Sequence, residues 1–262
     1  MIQLAVNLSM IFTEVPLIER FALAKKHGFD HVEIQFPYEL SIEQIREQLE
    51  RYSLNLCLIN LPAGDLMQGG NGLAGIPGKE SEFYQALQLG LRYALALHVP
   101  NINILAGKQP YDADLLSCLN TLSDNLKLAT HLLSEYRIQP LIEMINGTDM
   151  PRFLIQNIAQ AQDILDAVQH PALKLQYDCY HMAMMGEDLI STLHENIHQI
   201  GHIQFADCPN RHEPNTGDLH FNRIFEWIKQ STYSGFTAAE YKPSLNSEQS
   251  FAWKQQFFDH IE

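Results

Sequence analysis

Four oxygen-bearing side chains each close a short apolar run in the second half of the chain. Leu141-Ile142 runs into Glu143, Leu173 to Tyr177 into Asp178, His202-Ile203 into Gln204, and Phe236 to Ala239 into Glu240. If these runs are parallel strands that close on themselves, the four side chains meet at one end of the ring and can share a cation. Oxygen-only donors suit a hard divalent ion, Mg2+ or Mn2+, and suit a structural zinc poorly. His181, one turn past Asp178, and Arg211 and Lys242 follow the sixth, seventh and eighth runs, where they could bind a substrate. Three carboxylates around one divalent ion leave excess negative charge, so an anionic substrate needs such positive partners, and an arginine can clamp a carboxylate through two parallel bonds.

The elements that must hold these residues alternate regularly. Strands are expected at Leu4–Leu8, His31–Phe36, Leu54–Ile59, Ile102–Leu105, Ile138–Glu143, Leu173–Asp178, Gly201–Ala206 and Phe236–Tyr241. Between them, helical spacing runs over Pro16–His27, from Ser41 through Arg51, and over about 79–98, Asp112–Tyr136, Phe153–Val168 (a loop, then a helix), about 187–200 and Phe221–Gln230. Ser41 with Gln44 reads as a capping box. Eight strand-helix alternations imply parallel strands with right-handed crossovers, hence an α/β fold of the (β/α)8 TIM-barrel type, with an open doubly wound sheet as the rival. No linker or repeat interrupts residues 1–262, which are expected to form one domain.

Composition narrows the function. The chain has 262 residues, 46% of them hydrophobic, and a net charge of -14. That charge repels a phosphate backbone, so a small molecule rather than nucleic acid is the expected partner. No apolar run is long enough to span a membrane, and the N-terminus reads as a strand rather than a signal peptide, which points to the cytoplasm. The four cysteines lack a C-x-x-C pair and are expected to be free thiols. Oligomeric state is left open, homo-oligomers included.

Two motifs compete for attention. Gly70 to Gly75 matches G-x-G-x-x-G, but about ten residues separate it from the preceding strand, and Pro77 and Gly78 intervene before any helix. A mobile lid over the barrel mouth is the better expectation. His194-Glu195-Asn196-Ile197-His198 matches H-E-x-x-H, but it lies on a crossover helix, away from the strand ends.

The fragments Asn7-Leu8-Ser9-Met10, Asn60 to Asp65, Ile142 to Asn146, Gln176 to His181, Arg211 to Pro214 and Glu240 to Pro243 resemble the hydroxypyruvate isomerase family within the xylose-isomerase-like barrels. The likeness runs from Asn7 to about Trp253. It implies a single divalent metal held by Glu143, Asp178, Gln204 and Glu240, with Glu143 and Glu240 as the proton-transfer pair. Gln204 stands where many members of the wider superfamily carry histidine. Phe12 to Pro16 looks like the branch of 2-oxo-tetronate isomerases, whereas Asn60 to Asp65 looks like hydroxypyruvate isomerases proper.

The resemblance implies a metal-dependent aldose-ketose isomerase acting on a small anionic 2-oxo acid, hydroxypyruvate first, with 2-oxo-tetronate isomerase, sugar 3-epimerase and non-catalytic binder as alternatives. Such a reaction moves a proton between adjacent carbons through an enediolate, which requires acid-base groups beside the substrate and positive charge for the developing oxyanion.

Overall fold

The structure, a computed structural model, describes residues 2–258. Strands β1 (Gln3–Asn7), β2 (His31–Ile34), β3 (Asn55–Asn60), β4 (Asn101–Ile104), β5 (Gln139–Glu143), β6 (Lys174–Asp178), β7 (Ile200–Phe205) and β8 (Phe236–Ala239) form one closed parallel barrel in chain order. Helices α1 (Leu17–Lys26), α2 (Ile42–Tyr52), α3 (Glu80–Leu97), α4 (Leu115–Glu135), α5 (Ile158–Val168), α6 (Cys179–Met184), α7 (Leu189–Asn196), α8 (Phe221–Gln230) and α9 (Ala252–Phe257) lie between and after them. The expected TIM barrel is therefore present. No helix among the described residues is long and apolar enough to cross a membrane.

Local chemistry explains the helix starts. Ser41 Oγ accepts from Gln44 N at 3.2 Å while Gln44 Oε1 accepts from Ser41 N at 2.8 Å, closing the capping box of α2. Asp114 and Asn157 cap α4 and α5 through Ser117 N and Gln160 N, each at 3.0 Å.

Contacts group the chain into two compact units. One comprises Met1–Cys57, Asp178–His198 and His202–Glu262, the other Leu58–Tyr177 and Gln199–Gly201. In the first, β1 pairs with β2 and β8, and β7 with β8, setting Asn7 opposite Glu33 and Gln204 opposite Ala238. Its α8 buries Phe221, Ile224, Phe225 and Ile228, and Phe205 meets the Phe225 and Trp253 rings edge-on at 5.1 and 5.2 Å. In the second, β4 lies between β3 and β5, and β5 pairs with β6, with Glu143 opposite Gln176.

Three local features depart from the expectation. The loop after β6 is the short helix α6, because the Asp178 side chain turns from strand to N-cap and accepts from Tyr180 N at 2.9 Å. The segment expected to be a lid is tied down within its unit: Gly75 N donates to Ala106 O, Lys108 N to Asn71 O and Asn125 Nδ2 to Ala74 O at 2.7–2.9 Å. Its glycines serve close approach as much as hinging, since a Cβ on Gly70 would lie 1.9 Å from the Asp65 carboxyl carbon. The helix carrying the H-E-x-x-H match ends at Asn196, and His198 falls in a 3-10 turn over Ile197–Gln199, so the two imidazoles do not share one α-helical face.

Candidate functional site

Alternate side chains of a strand share a face, so one polar stripe per strand can line the barrel interior while its neighbours pack outward. On β7 that stripe is His202 and Gln204, and from β2 it is Glu33 and Gln35. Glu33 and His202 are wholly buried, and so is Asn7 of β1. Glu33 Oε1 accepts from Gln204 Nε2 at 2.7 Å and from Asn7 Nδ2 at 2.8 Å, and its Oε2 lies 2.7 Å from His202 Nε2. Asn7 Nδ2 also donates to Glu240 Oε1 at 2.8 Å, and Gln35 Nε2 donates to the same oxygen at 2.8 Å.

On its other side Glu240 meets Arg211, whose Nη2 is 2.5 Å from Glu240 Oε2 and 3.1 Å from Asp178 Oδ2. The guanidinium also lies over the Tyr180 ring, 5.1 Å from its centre. His181 is buried on α6 with Nε2 3.6 Å from Asp178 Oδ2. In the second unit, Glu143 ends β5 and accepts from the buried Asn103 Nδ2 at 2.7 Å.

Sequence reasoning named Asp178, His181, Gln204, Arg211 and Glu240, and all five belong to the first unit. There Arg211 links Asp178 to Glu240, and His181 lies beside Asp178. Lys242 enters differently: its side chain is exposed, whereas its backbone N–H donates to Arg211 O at 2.8 Å and its carbonyl lies 2.7 Å from His212 Nδ1. Lys242 thus holds the arginine loop through its main chain.

Sequence reasoning missed Asn7, Glu33, Gln35, Asn103 and His202. The available signal was polar residues two apart in otherwise apolar strands, as in Glu33/Gln35 and His202/Gln204. Asp207 was missed as well. Its buried carboxylate accepts four backbone N–H groups, from Cys208 and Leu219 on Oδ1 and from Thr216 and Gly217 on Oδ2, at 2.9–3.0 Å. This hub folds the loop that carries Arg211, itself in the left-handed region at φ 57°. A Cβ on Gly217 would lie 2.1 Å from Cys208 O, so the loop closes around a glycine there.

Burial dominates the electrostatics. It pushes the Glu240 carboxyl up to about 8, with Asp178 and Glu33 adding to the rise and Arg211 opposing it. Asp178 is also raised by burial, partly offset by Arg211. Burial and the neighbouring Arg211 hold His181 well below the usual imidazole range, in its neutral, metal-binding form. Among the described residues of the first unit, the buried Asp178 and His181 offer donor atoms that could take part in holding a metal ion. The donor set fits a hard divalent cation: carboxylates made costly by burial are stabilised as anions by such an ion.

Comparisons with known proteins identify the family. The xylose isomerase-like TIM barrel family matches residues 21–259. A hydroxypyruvate isomerase of Escherichia coli is 39% identical, covering 98% of this chain and 100% of its own length. A 2-oxo-tetronate isomerase of Cupriavidus necator is 36% identical, covering 97% of each chain. A crystal structure from Brucella melitensis, named AP endonuclease, family 2, superposes with a TM-score of 0.94 at 33% identity, covering 98% of this chain and 99% of that one. The protein is thus an isomerase that belongs to the xylose isomerase-like TIM barrel family.

Proposed function

We propose that the protein, acting as one barrel domain, interconverts hydroxypyruvate and 2-hydroxy-3-oxopropanoate with the help of a divalent metal. The observation that carries this reading is Arg211, set against the buried carboxylates Asp178 and Glu240 at the strand ends. This contact supports the reading, in which the cation receives a substrate carboxylate and the nearby carboxylates move protons. The relation to the Escherichia coli hydroxypyruvate isomerase supports the choice of substrate. The charge of -14 favours a small ligand over nucleic acid.

Glu143, Asp178, Gln204 and Glu240 would hold Mg2+ or Mn2+, with the buried His181 as a further donor. A bound ion supplies Lewis-acid polarisation of the substrate carbonyl and neutralises developing enediolate charge. Arg211 orients the substrate through its carboxylate. One of the pair Glu143 and Glu240 removes a proton from the hydroxymethyl carbon, C3, giving an enediolate, and a proton is returned to C2. The hydroxyl proton at C3 passes to the oxygen at C2, so atoms balance without a redox partner. Asn7 and Gln35 keep Glu240 Oε1 in place by donating to it.

The test is incubation with Mg2+ or Mn2+ and short 2-oxo acids in D2O, followed by NMR. Deuterium should enter at the carbon next to the carbonyl of hydroxypyruvate. Failure to exchange any member of the panel overturns the isomerisation. Faster exchange with 2-oxo-tetronates would favour the second reading, a 2-oxo-tetronate isomerase, which the relation to the Cupriavidus necator enzyme supports.

A further inference from the structure

We propose that Glu33 is a positioning residue whose buried carboxylate dictates which way the Gln204 amide faces and so makes position 204 an oxygen donor. This rests on the reading of Gln204 as a metal ligand. A glutamine can ligate a hard cation only through its carbonyl oxygen, yet its two flips have nearly the same shape, so something must choose between them.

Glu33 makes that choice by polarity. Its Oε1 faces two amide nitrogens, Gln204 Nε2 at 2.7 Å and Asn7 Nδ2 at 2.8 Å, and so acts as an acceptor. With Nε2 held there, Gln204 Oε1 turns away from Glu33. The opposite flip would press two acceptor oxygens together at hydrogen-bond distance between fully buried groups, a cost no solvent relieves.

Asn7 supports the same polarity independently. Its Oδ1 accepts from Ser9 N at 2.8 Å and Met10 N at 3.1 Å, which leaves Nδ2 for Glu33 and Glu240. The backbone thereby sets the Asn7 amide without help from Glu33, and the donor it presents is the one an accepting Glu33 needs. His202 Nε2, 2.7 Å from Oε2, holds the far side of the carboxylate. Groups that orient ligands in this way commonly change metal affinity by about 10–100-fold when replaced.

A merely structural Glu33 would tie strands together without caring about the amide, and a purely electrostatic one would act through its charge alone. A double-mutant cycle separates these. Glu33→Leu, Gln204→Leu and the double variant are stripped with chelator and titrated with Mn2+ alone, with melting temperatures measured in parallel. The expected result is that Glu33→Leu, which removes the acceptor, weakens Mn2+ about tenfold or more beside Gln204 but no more than about threefold beside Leu, where no amide remains to be turned. An equal loss on both backgrounds, or a lowered melting temperature with unchanged affinity, overturns the inference. If Gln204→Leu alone leaves Mn2+ binding intact, the reading of Gln204 as a ligand fails first and the inference falls with it. Should Glu33→Leu not fold, Glu33→Met, which also lacks the acceptor oxygen, takes its place in the cycle with the same criterion. If neither folds, Glu33 is a folding residue and the inference is overturned.

Discussion

Asp207→Asn probes the loop that carries Arg211 with the smallest change of shape. The carboxylate accepts two backbone N–H groups on each oxygen, and an amide has only one oxygen. Whichever way the asparagine turns, two donors lose their acceptor and face an NH2 group. Hydrogen bonds to a charged group contribute about 1.5–3 kcal/mol each, so two lost in a dry site would cost about 3–6 kcal/mol. Thr216 and Gly217 are exposed, and water can recover part of the loss if the Oδ2 side is given up. A net cost of about 2–3 kcal/mol is expected on that basis. For a chain of this size it should lower the melting temperature by roughly 4–10 °C. On the proposed reading it should also raise KM for an anionic 2-oxo acid, because the loop places Arg211, and lower kcat as well, because Arg211 bonds the Glu240 carboxylate. Calorimetry and steady-state kinetics check both. A variant that melts within about 1 °C of the parent with unchanged KM would refute the reasoning.

Arg211→Met should raise KM for hydroxypyruvate by about 10–100-fold, the equivalent of one charge-assisted contact, and a smaller effect in steady-state kinetics would remove Arg211 as the carboxylate clamp. Glu240→Gln should abolish D2O exchange while retaining Mn2+ in equilibrium dialysis, and exchange that persists would exclude Glu240 from proton transfer. His27, ring to ring with Phe12 and Phe251 at 5.6 and 4.9 Å, has its pKa lowered by burial. With the folded value below the unfolded one of about 6.5, stability is lost as pH falls through that unfolded value. His27→Gln should therefore flatten the fall in denaturant midpoint between about pH 7 and 5, and an unchanged slope would exclude this histidine as its source.

What the sequence disclosed followed from periodicity. Glu143, Asp178, Gln204 and Glu240 could be read because each follows a run with strand spacing, and the ends of consecutive parallel strands gather on one side of a barrel. Glu33 stayed hidden because a glutamate inside V-E-I-Q reads as the solvent face of a half-buried strand, whereas in a closed barrel that face points inward. Asp207 stayed hidden for another reason: its four partners depend on a loop path with no periodicity at all. The Gly-rich segment invited a hinge because glycine tolerates hinge geometry, but close approach of backbone to Asp65 asks for the same residue. Lys242 was selected for its charge, yet it contributes through its main-chain N–H, which any non-proline residue would supply.

The bond between Asn7 and Glu240 spans 233 positions and crosses the seam where β1 meets β8. Its presence makes the final setting of the Glu240 carboxylate a late event during synthesis. Until β8 has left the ribosome and zipped against β1, the Asn7 amide has Glu33 but not Glu240 to bond, and pairing so remote in sequence forms slowly. The Glu240 carboxylate therefore gains this partner only when the ring closes.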